Sequence, residues 1–538
     1  MKQKSKTLNL ILSILFLLAT AGIVQFYIWG NTFITEFQSD CTDTLLWAQA
    51  SIESGTLFKP TFDYAYRLAF GGQWLFIPFI KHYGLGMTAL RAGMCLFSVL
   101  FTSALVFFFR AQLCRWSASF FYSALMLLSV CATKKTREIF FGHIIHYSLA
   151  VLYLLLVFIL LRLVLKQDSR RKRIFPMVLL TICLFMCSGN GTVQMLYVIL
   201  PLLAGCLIEA YLTDEKDLTG ICLCICIAAG AGFLFSRSLN TNYTDNYSVI
   251  VPADDWAENL LSFPKRWISL FYTLPGEKIN SFSALWIKTV FKSITALLML
   301  AGLMLSFSRY KTISDRECRI FIFTTWAMFA AFLYFFVFGK ISDVDWRLIP
   351  LLFSAQTVIL ILLNRLFPAF PERTLSGGFT LLCGIILVLN AFSNGLSVLR
   401  ISYDEKIWFA EDGLLETLKA HDLNEGYITS YWLSNSVTVL SGNKVCPRFA
   451  AWGEEGPYLL PFNSDMEWYN DRPDCSRYFL AVKESQYDPE MELAKEASET
   501  YFCFQEDTRN SIKENYVIMV HDHNIMKSEY DKLIDRYR

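Results

Sequence analysis

The strongest constraint on this chain is the recurrence of long apolar segments over residues 1–400. The first, Leu8 to Gly30, contains no charged side chain. In hydrocarbon such a segment must satisfy its own backbone, and at ~20 residues it does so as a helix. About eleven spans are read: 8–30, 89–109, 117–133, 144–165, 174–188, 193–212, 219–236, 284–306, 320–338, 348–364 and 377–399. A chain of 538 residues that is 54% hydrophobic is compatible with no soluble class carrying so many such runs. The fold class expected is a polytopic α-helical membrane protein with about 11 transmembrane helices, exterior interfacial helices and a small C-terminal α/β soluble domain. A net charge of +1 gives no global basic field toward nucleic acid.

Lys2, Lys4 and Lys6 precede the first run, and Ala19-Thr20-Ala21 is a formal cleavage site. The run continues long enough to span, so an uncleaved anchor is expected. Basic residues fall on alternate connections: Arg110 and Arg115; Arg170 to Arg173; Arg309, Lys311, Arg316 and Arg319; Arg365 and Arg373. By the positive-inside rule these are cytoplasmic, with the N-terminus, and an odd number of spans leaves the C-terminal region outside a cell membrane. One connection breaks the rule. Lys134-Lys135-Thr-Arg137-Glu138 lies on the exterior side, so either a span is misplaced or these cations meet something anionic.

The domains read are 1–400, transmembrane, and 401–538, exterior. Within the first, residues 31–88 carry Asp40 and Asp43, a helical stretch from Leu45 toward Pro60, and a semi-apolar stretch, Phe70 to Tyr83, expected at the interface. Residues 237–283 carry Asp254, read as a helix N-cap, followed by Leu260, Leu261, Phe263, Trp267, Leu270 and Phe271 interleaved with Lys265 and Arg266. That pattern is an amphipathic helix suited to a membrane surface. In 401–538, short apolar runs alternate with polar helix-like stretches, the signature of a small α/β domain. Of fifteen cysteines, most lie in apolar runs. A disulfide among Cys446, Cys475 and Cys503 is open, and spacing alone does not pair them.

Asp40 and Asp43 are the leading chemical candidates. Three residues apart at a helix start, they can share a side, and a carboxylate there can act as a base or merely cap the helix. His143 and His146, also three apart, are read on one helix beside the basic cluster. A shared metal or a polar cavity lining are the alternatives, with Tyr147 and Glu138 adjoining and no third ligand evident. Asp40/Asp43 and Asp254/Asp255 could bind a divalent ion if they converged. Ser188-Gly-Asn190-Gly reads as a structural turn.

The run Asp40-Cys-Thr-Asp43-Thr-Leu-Leu-Trp47 through Ser54-Gly55 to Pro60, with Phe62-Asp-Tyr-Ala-Tyr66-Arg67 after it, resembles the first exterior loop of GT-C glycosyltransferases. The nearest echo is the branch of protein O-mannosyltransferases and lipid A aminoarabinose transferases. The likeness covers roughly 31–110. It implies a catalytic Asp at Asp40, with Asp43 second, and a phosphate-contacting cation near Arg67, although the Pro-Pro pair usual after that cation is replaced by Leu68-Ala69-Phe70-Gly71-Gly72. Asp343-Val-Asp345-Trp-Arg347-Leu-Ile-Pro350 resembles the opening of a late span whose Arg meets the lipid phosphate; the alternative is a snorkelling Arg paired with Asp343 or Asp345. The stretch Tyr427 to Gly442 resembles the strand-then-helix opening of a soluble domain that recognises acceptor or caps the cavity.

The implied activity moves a sugar from a polyprenyl-phosphate donor to a cell-envelope glycan, lipid or protein, with inversion. A lipid phosphate already leaves well, so positive charge matters more than a general acid. Arg67, Lys134, Lys135, Arg137 and Arg347 are the donor-phosphate candidates. No cofactor is certain and a divalent metal is open. The alternatives are a transporter or flippase of lipid-linked saccharides, a polymerase or ligase of envelope glycans, and a non-catalytic assembly partner.

Overall fold

A computed structural model describes residues 2–112, 115–167, 169–239, 241–243, 250–273, 281–366, 375–401, 410–454, 456–503, 506–507, 512–513 and 515–534. Arg373 lies outside these. All eleven predicted spans fall on helices: Lys2–Trp29, Met87–Ala111, Trp116–Ser129, His146–Leu165, Arg170–Ser188, Thr192–Thr213, Lys216–Ser238, Ala284–Arg309, Arg316–Phe338, Ile349–Leu366 and Leu375–Leu399. Among the described residues, nine are long and apolar enough to cross a membrane alone.

The two that are not have physical reasons. The third helix stops at Ser129, and the chain turns by 120° into a second helix, Lys134–Phe141. Thr133 and Thr136 form a reciprocal capping box at this restart, so the expected span to residue 133 ends early. The fifth helix, Arg170–Ser188, opens on four consecutive cations.

The first helix packs on the second and third, and the sixth against the ninth. Gly205 permits the latter approach, since a Cβ there would collide with Thr324. At one end of the bundle the expected cytoplasmic connections gather. Arg319 pairs with Glu209 and Arg365 with Asp315, while Arg365 also reaches the Gln112 carbonyl.

Residues 31–88 lie at the other end. The helix Asp43–Ser54 ends where Gly55 takes φ 66°, a left-handed cap whose N–H donates to the Ser51 carbonyl at 3.0 Å. The strand Phe62–Tyr64 then pairs in parallel with Asn242–Tyr243 and antiparallel with Ser464–Asp465. One small sheet thus ties together the three segments expected outside. Lys59 reinforces it with a 2.5 Å ion pair to Asp465.

The helix Trp256–Ser269 is present, with Phe263 and Trp267 buried and Leu260 and Leu261 exposed. Asp254 is not its N-cap. Pro252 starts a 3-10 turn, Ala253–Asp255, which shifts the cap position to Asp255, and that side chain makes no capping bond. Asn190 fastens the Ser188–Gly191 turn to Phe70, accepting from its N–H at 2.7 Å.

The C-terminal domain is a five-stranded mixed sheet. Its spatial order is Cys446–Phe449, Glu425–Ile428, Tyr478–Lys483, Tyr516–His521, Glu499–Cys503. Ile428, Phe479, Ile518 and Val520 face one buried cluster; Tyr427, Leu480, Val517 and Met519 face the other. Burial on both faces explains why these strands read as unbroken apolar runs. Cys446, Cys475 and Cys503 are free thiols.

Candidate active site

Asp40 sits on a 3-10 turn, Ser39–Thr42, and Asp43 opens the helix that follows. This places the two carboxyls beside one cavity of about 160 Å³. The side chains differ in access. Asp40 is 28% exposed, whereas Asp43 is 4% exposed. Both line the cavity, and Asp40 is the more open of the two to a group entering it.

Asp43 does not cap its helix through its side chain. Its Oδ1 accepts from Asn463 Nδ2 and from the Tyr431 hydroxyl at 3.5 Å. Asn463 is itself anchored, accepting from Trp47 Nε1 at 2.6 Å. It is fully buried at φ 51°, a left-handed conformation that Asn tolerates better than most side chains. Tyr431 and Asn463 both belong to the C-terminal domain, so that domain completes the carboxylate site.

Lys135 faces Asp40 from the short helix Lys134–Phe141. Its Nζ lies 3.4 Å from Asp40 and 2.5 Å from Glu138, and 4.4 Å over the Trp346 ring. Glu138 also accepts from Gln38 Nε2 at 2.5 Å and lies 3.3 Å from His143 Nε2. Burial pushes the Asp40 carboxyl above the usual carboxylate range, and Lys135 pulls partly back. Asp43 is pushed well above that range, first by burial and then by the Asp40 charge, with Asn463 and Tyr431 opposing.

Of the residues singled out in the sequence, Asp40, Asp43, Lys135, His143, Tyr147 and Arg347 line this cavity. Glu138 stands behind Lys135. Arg347 donates to the Lys340 carbonyl and lies 3.5 Å from Asp343 while presenting to the cavity. His143 and His146 do not share a helical face. The chain is non-helical from His143 to Ile145, and the fourth helix begins only at His146. There His146 packs edge-on against Tyr66 at 4.4 Å.

Three cations point elsewhere. Arg67 donates to the Ser236 carbonyl at 3.1 Å. Arg137 grips both Glu36 oxygens and the Cys131 carbonyl, a buried structural arrangement. Lys134, one residue before Lys135, turns ~100° away from it on the helix and does not line the cavity. Among the described residues no group of three or more His, Cys, Asp or Glu side chains is placed to hold a metal, and Asp254 and Asp255 do not reach this cavity.

Sequence reasoning did not single out Tyr66, Trp346, Tyr431, Phe462 or Asn463, all at or against the cavity. Tyr66, Trp346 and Tyr431 fall inside stretches that drew notice for other reasons. Phe462 and Asn463 sit in an irregular segment with no motif to mark them.

No family model matches the chain, and no curated protein matches it. Two solved structures of ArnT from Cupriavidus metallidurans are similar to it at 12% identity, each alignment covering 94% of this chain and 97% of that one. One is the apo state, TM-score 0.41, and the other is bound to undecaprenyl phosphate, TM-score 0.44.

Proposed function

We propose that this chain is a membrane glycosyltransferase of the GT-C type, moving a sugar from a polyprenyl-phosphate donor to a cell-envelope acceptor on the exterior face of a cell membrane. The observation that carries the reading is one small cavity at the first-loop end of the helical bundle. It brings a partly exposed Asp40 together with a buried Asp43, Lys135 and Arg347. At about 160 Å³ it is smaller than the ~300 Å³ at which pockets for whole small ligands begin, so it suits one sugar-sized group. Tyr66, Trp346, Tyr431 and Phe462 supply flat apolar walls of the kind that pack on a sugar ring.

In the reaction so read, an acceptor hydroxyl oxygen attacks the anomeric carbon opposite the donor phosphate. Asp40 takes the hydroxyl proton. The anomeric C–O bond breaks and its electron pair leaves on the lipid phosphate, inverting the centre. Arg347 is the cation best placed to meet that phosphate. Lys135 lies between Asp40 and Glu138, so its main task is to keep Asp40 ionised, with phosphate contact secondary. The first loop and the C-terminal domain lie at one end of the bundle, which fits an exterior domain and a cytoplasmic N-terminus.

The test is transfer of label from radiolabelled polyprenyl-phosphate sugars in proteoliposomes, comparing wild type with Asp40→Asn. Transfer by the wild type that disappears in Asp40→Asn supports the enzyme and its base together. Equal transfer moves the base to another residue. No turnover of any donor, with labelled lipid crossing the bilayer, replaces the reading with a transporter.

A further inference from the structure

At the end of the bundle opposite Asp40, a cavity of about 860 Å³ opens between the first, third, tenth and eleventh helices. Its polar and apolar groups are segregated. Arg115, just before the helix Trp116–Ser129, Arg365, in the last turn of Ile349–Leu366, and Asn9 lie toward one end. Leu125 and Leu389 line the far part. From Ser117 to Leu125 the wall follows eight residues of helix, ~12 Å at 1.5 Å per residue. That depth approaches the ~15 Å of hydrocarbon in one leaflet.

Among the described residues no carboxylate lines the cavity. Arg365 is partly neutralised by Asp315 at 2.5 Å, while Arg115 is exposed at the mouth. Two guanidiniums over an apolar slot of one-leaflet depth match an amphiphile with an anionic head. A free anion would leave the slot unfilled, and a zwitterionic lipid would bring its own cation against the arginines.

We propose that this cavity holds one glycerophospholipid with a net anionic headgroup, from the leaflet opposite the carboxylate site. Its phosphate lies at Arg115 and Arg365, and an acyl chain lies against Leu125 and Leu389. The occupant wedges the first helix against the eleventh, and the first helix leads directly into the loop that carries Asp40. The proposal does not depend on the glycosyl-transfer reading.

The experiment is native mass spectrometry of the full chain in detergent, given equimolar phosphatidylglycerol and phosphatidylcholine with the same acyl chains. The wild type is expected to retain phosphatidylglycerol about tenfold over phosphatidylcholine. Arg115→Ala is expected to lower that preference to about twofold. Ala118→Trp, which fills the slot and keeps both arginines, is expected to lose the retained lipid. Arg110→Ala removes a cation that lies over the Trp116 ring at the same end but outside the cavity, and it is expected to keep the preference. Equal retention of the two lipids by the wild type overturns the proposal. So does retention unchanged in both Arg115→Ala and Ala118→Trp.

Discussion

Asn463 offers the most discriminating perturbation of the carboxylate site. It holds two buried partners at once, the Trp47 indole at 2.6 Å and the Asp43 carboxyl. Asn463→Ala leaves the Trp47 N–H without an acceptor in a site where Trp47 is 1% exposed, a loss of ~1–3 kcal/mol. It also removes a hydrogen bond to a carboxylate, worth ~1.5–3 kcal/mol. The alanine must still hold φ near 51°, where a side chain without a local hydrogen bond gains nothing back. The two losses share one side chain and do not simply add, so about 3 kcal/mol is expected. Large multidomain proteins commonly unfold irreversibly, so the readout is the rate of thermal inactivation.

Asn463→Asp separates stability from chemistry. It retains an oxygen for Trp47 but replaces the donor to Asp43 with a second carboxylate. Like charge raises the proton affinity of Asp43 further, beyond what burial and Asp40 already do. Donor turnover is expected to fall at least about tenfold, equivalent to ~1.4 kcal/mol of barrier, and the added negative charge raises Asp40 in turn, moving the acid limb to higher pH. Wild-type turnover and an unshifted pH profile in both variants would refute the idea that the C-terminal domain shapes this site. A normal inactivation rate in Asn463→Ala would refute the energetic reasoning separately.

Other outcomes follow from the same geometry. Asp40→Asn should abolish turnover with little change in the rate of thermal aggregation, both measured beside the wild type. Asp40 is held above the usual carboxylate range, and as the proposed base it acts in its ionised form, so turnover should fall with acid earlier than for an exposed carboxylate. Lys135→Ala, by removing the neighbouring positive charge, should move that acid limb upward again, read from the rate–pH profile. Arg137→Ala should destabilise by ~3–5 kcal/mol by stranding Glu36, and Arg137→Met with Glu36→Met should recover much of it, as measured by inactivation rate. The buried His521 imidazole is pushed down to about 4, so the fold prefers it neutral. Its contribution is complete above the unfolded value of ~6.5 and is lost as pH falls from there toward 4, ~3 kcal/mol in all. His521→Phe should flatten the acid sensitivity of the C-terminal domain, followed by near-UV circular dichroism.

The spans were legible because segment length and charge decide them, whatever face each helix turns to its neighbours. The early stop of the third was not, since Ala124 to Val130 is as apolar as the helix before it. The break is set by the Thr133–Thr136 capping box, a polar pair inside a basic stretch. Asp40 and Asp43 were legible from position, and Gly55 from the turn it makes. Asn463 was not: it lies 420 residues from Asp43, and only docking of the C-terminal domain brings them together. Histidines three apart suggested one helical face, but the helix begins between them, at His146, so the spacing had no periodic meaning there.

The basic connection that breaks the positive-inside pattern has a local explanation in this geometry. Lys135 and Arg137 are two residues apart on a helix and so face nearly opposite ways. Arg137 turns inward, where Glu36 neutralises it and the Tyr27 ring covers it. Lys135 turns to the cavity, where Glu138 and Asp40 flank it. Three carboxylates therefore stand against these two cations once the chain is folded. The same acids explain why Lys135 and Arg137 differ in availability. Arg137 is held bidentate in the interior and has no reach toward a ligand, whereas Lys135 has one short bond and one long one at the cavity edge. A basic cluster that reads as a single anion-binding patch in sequence is divided by helix geometry into a structural clamp and a tuning charge for Asp40.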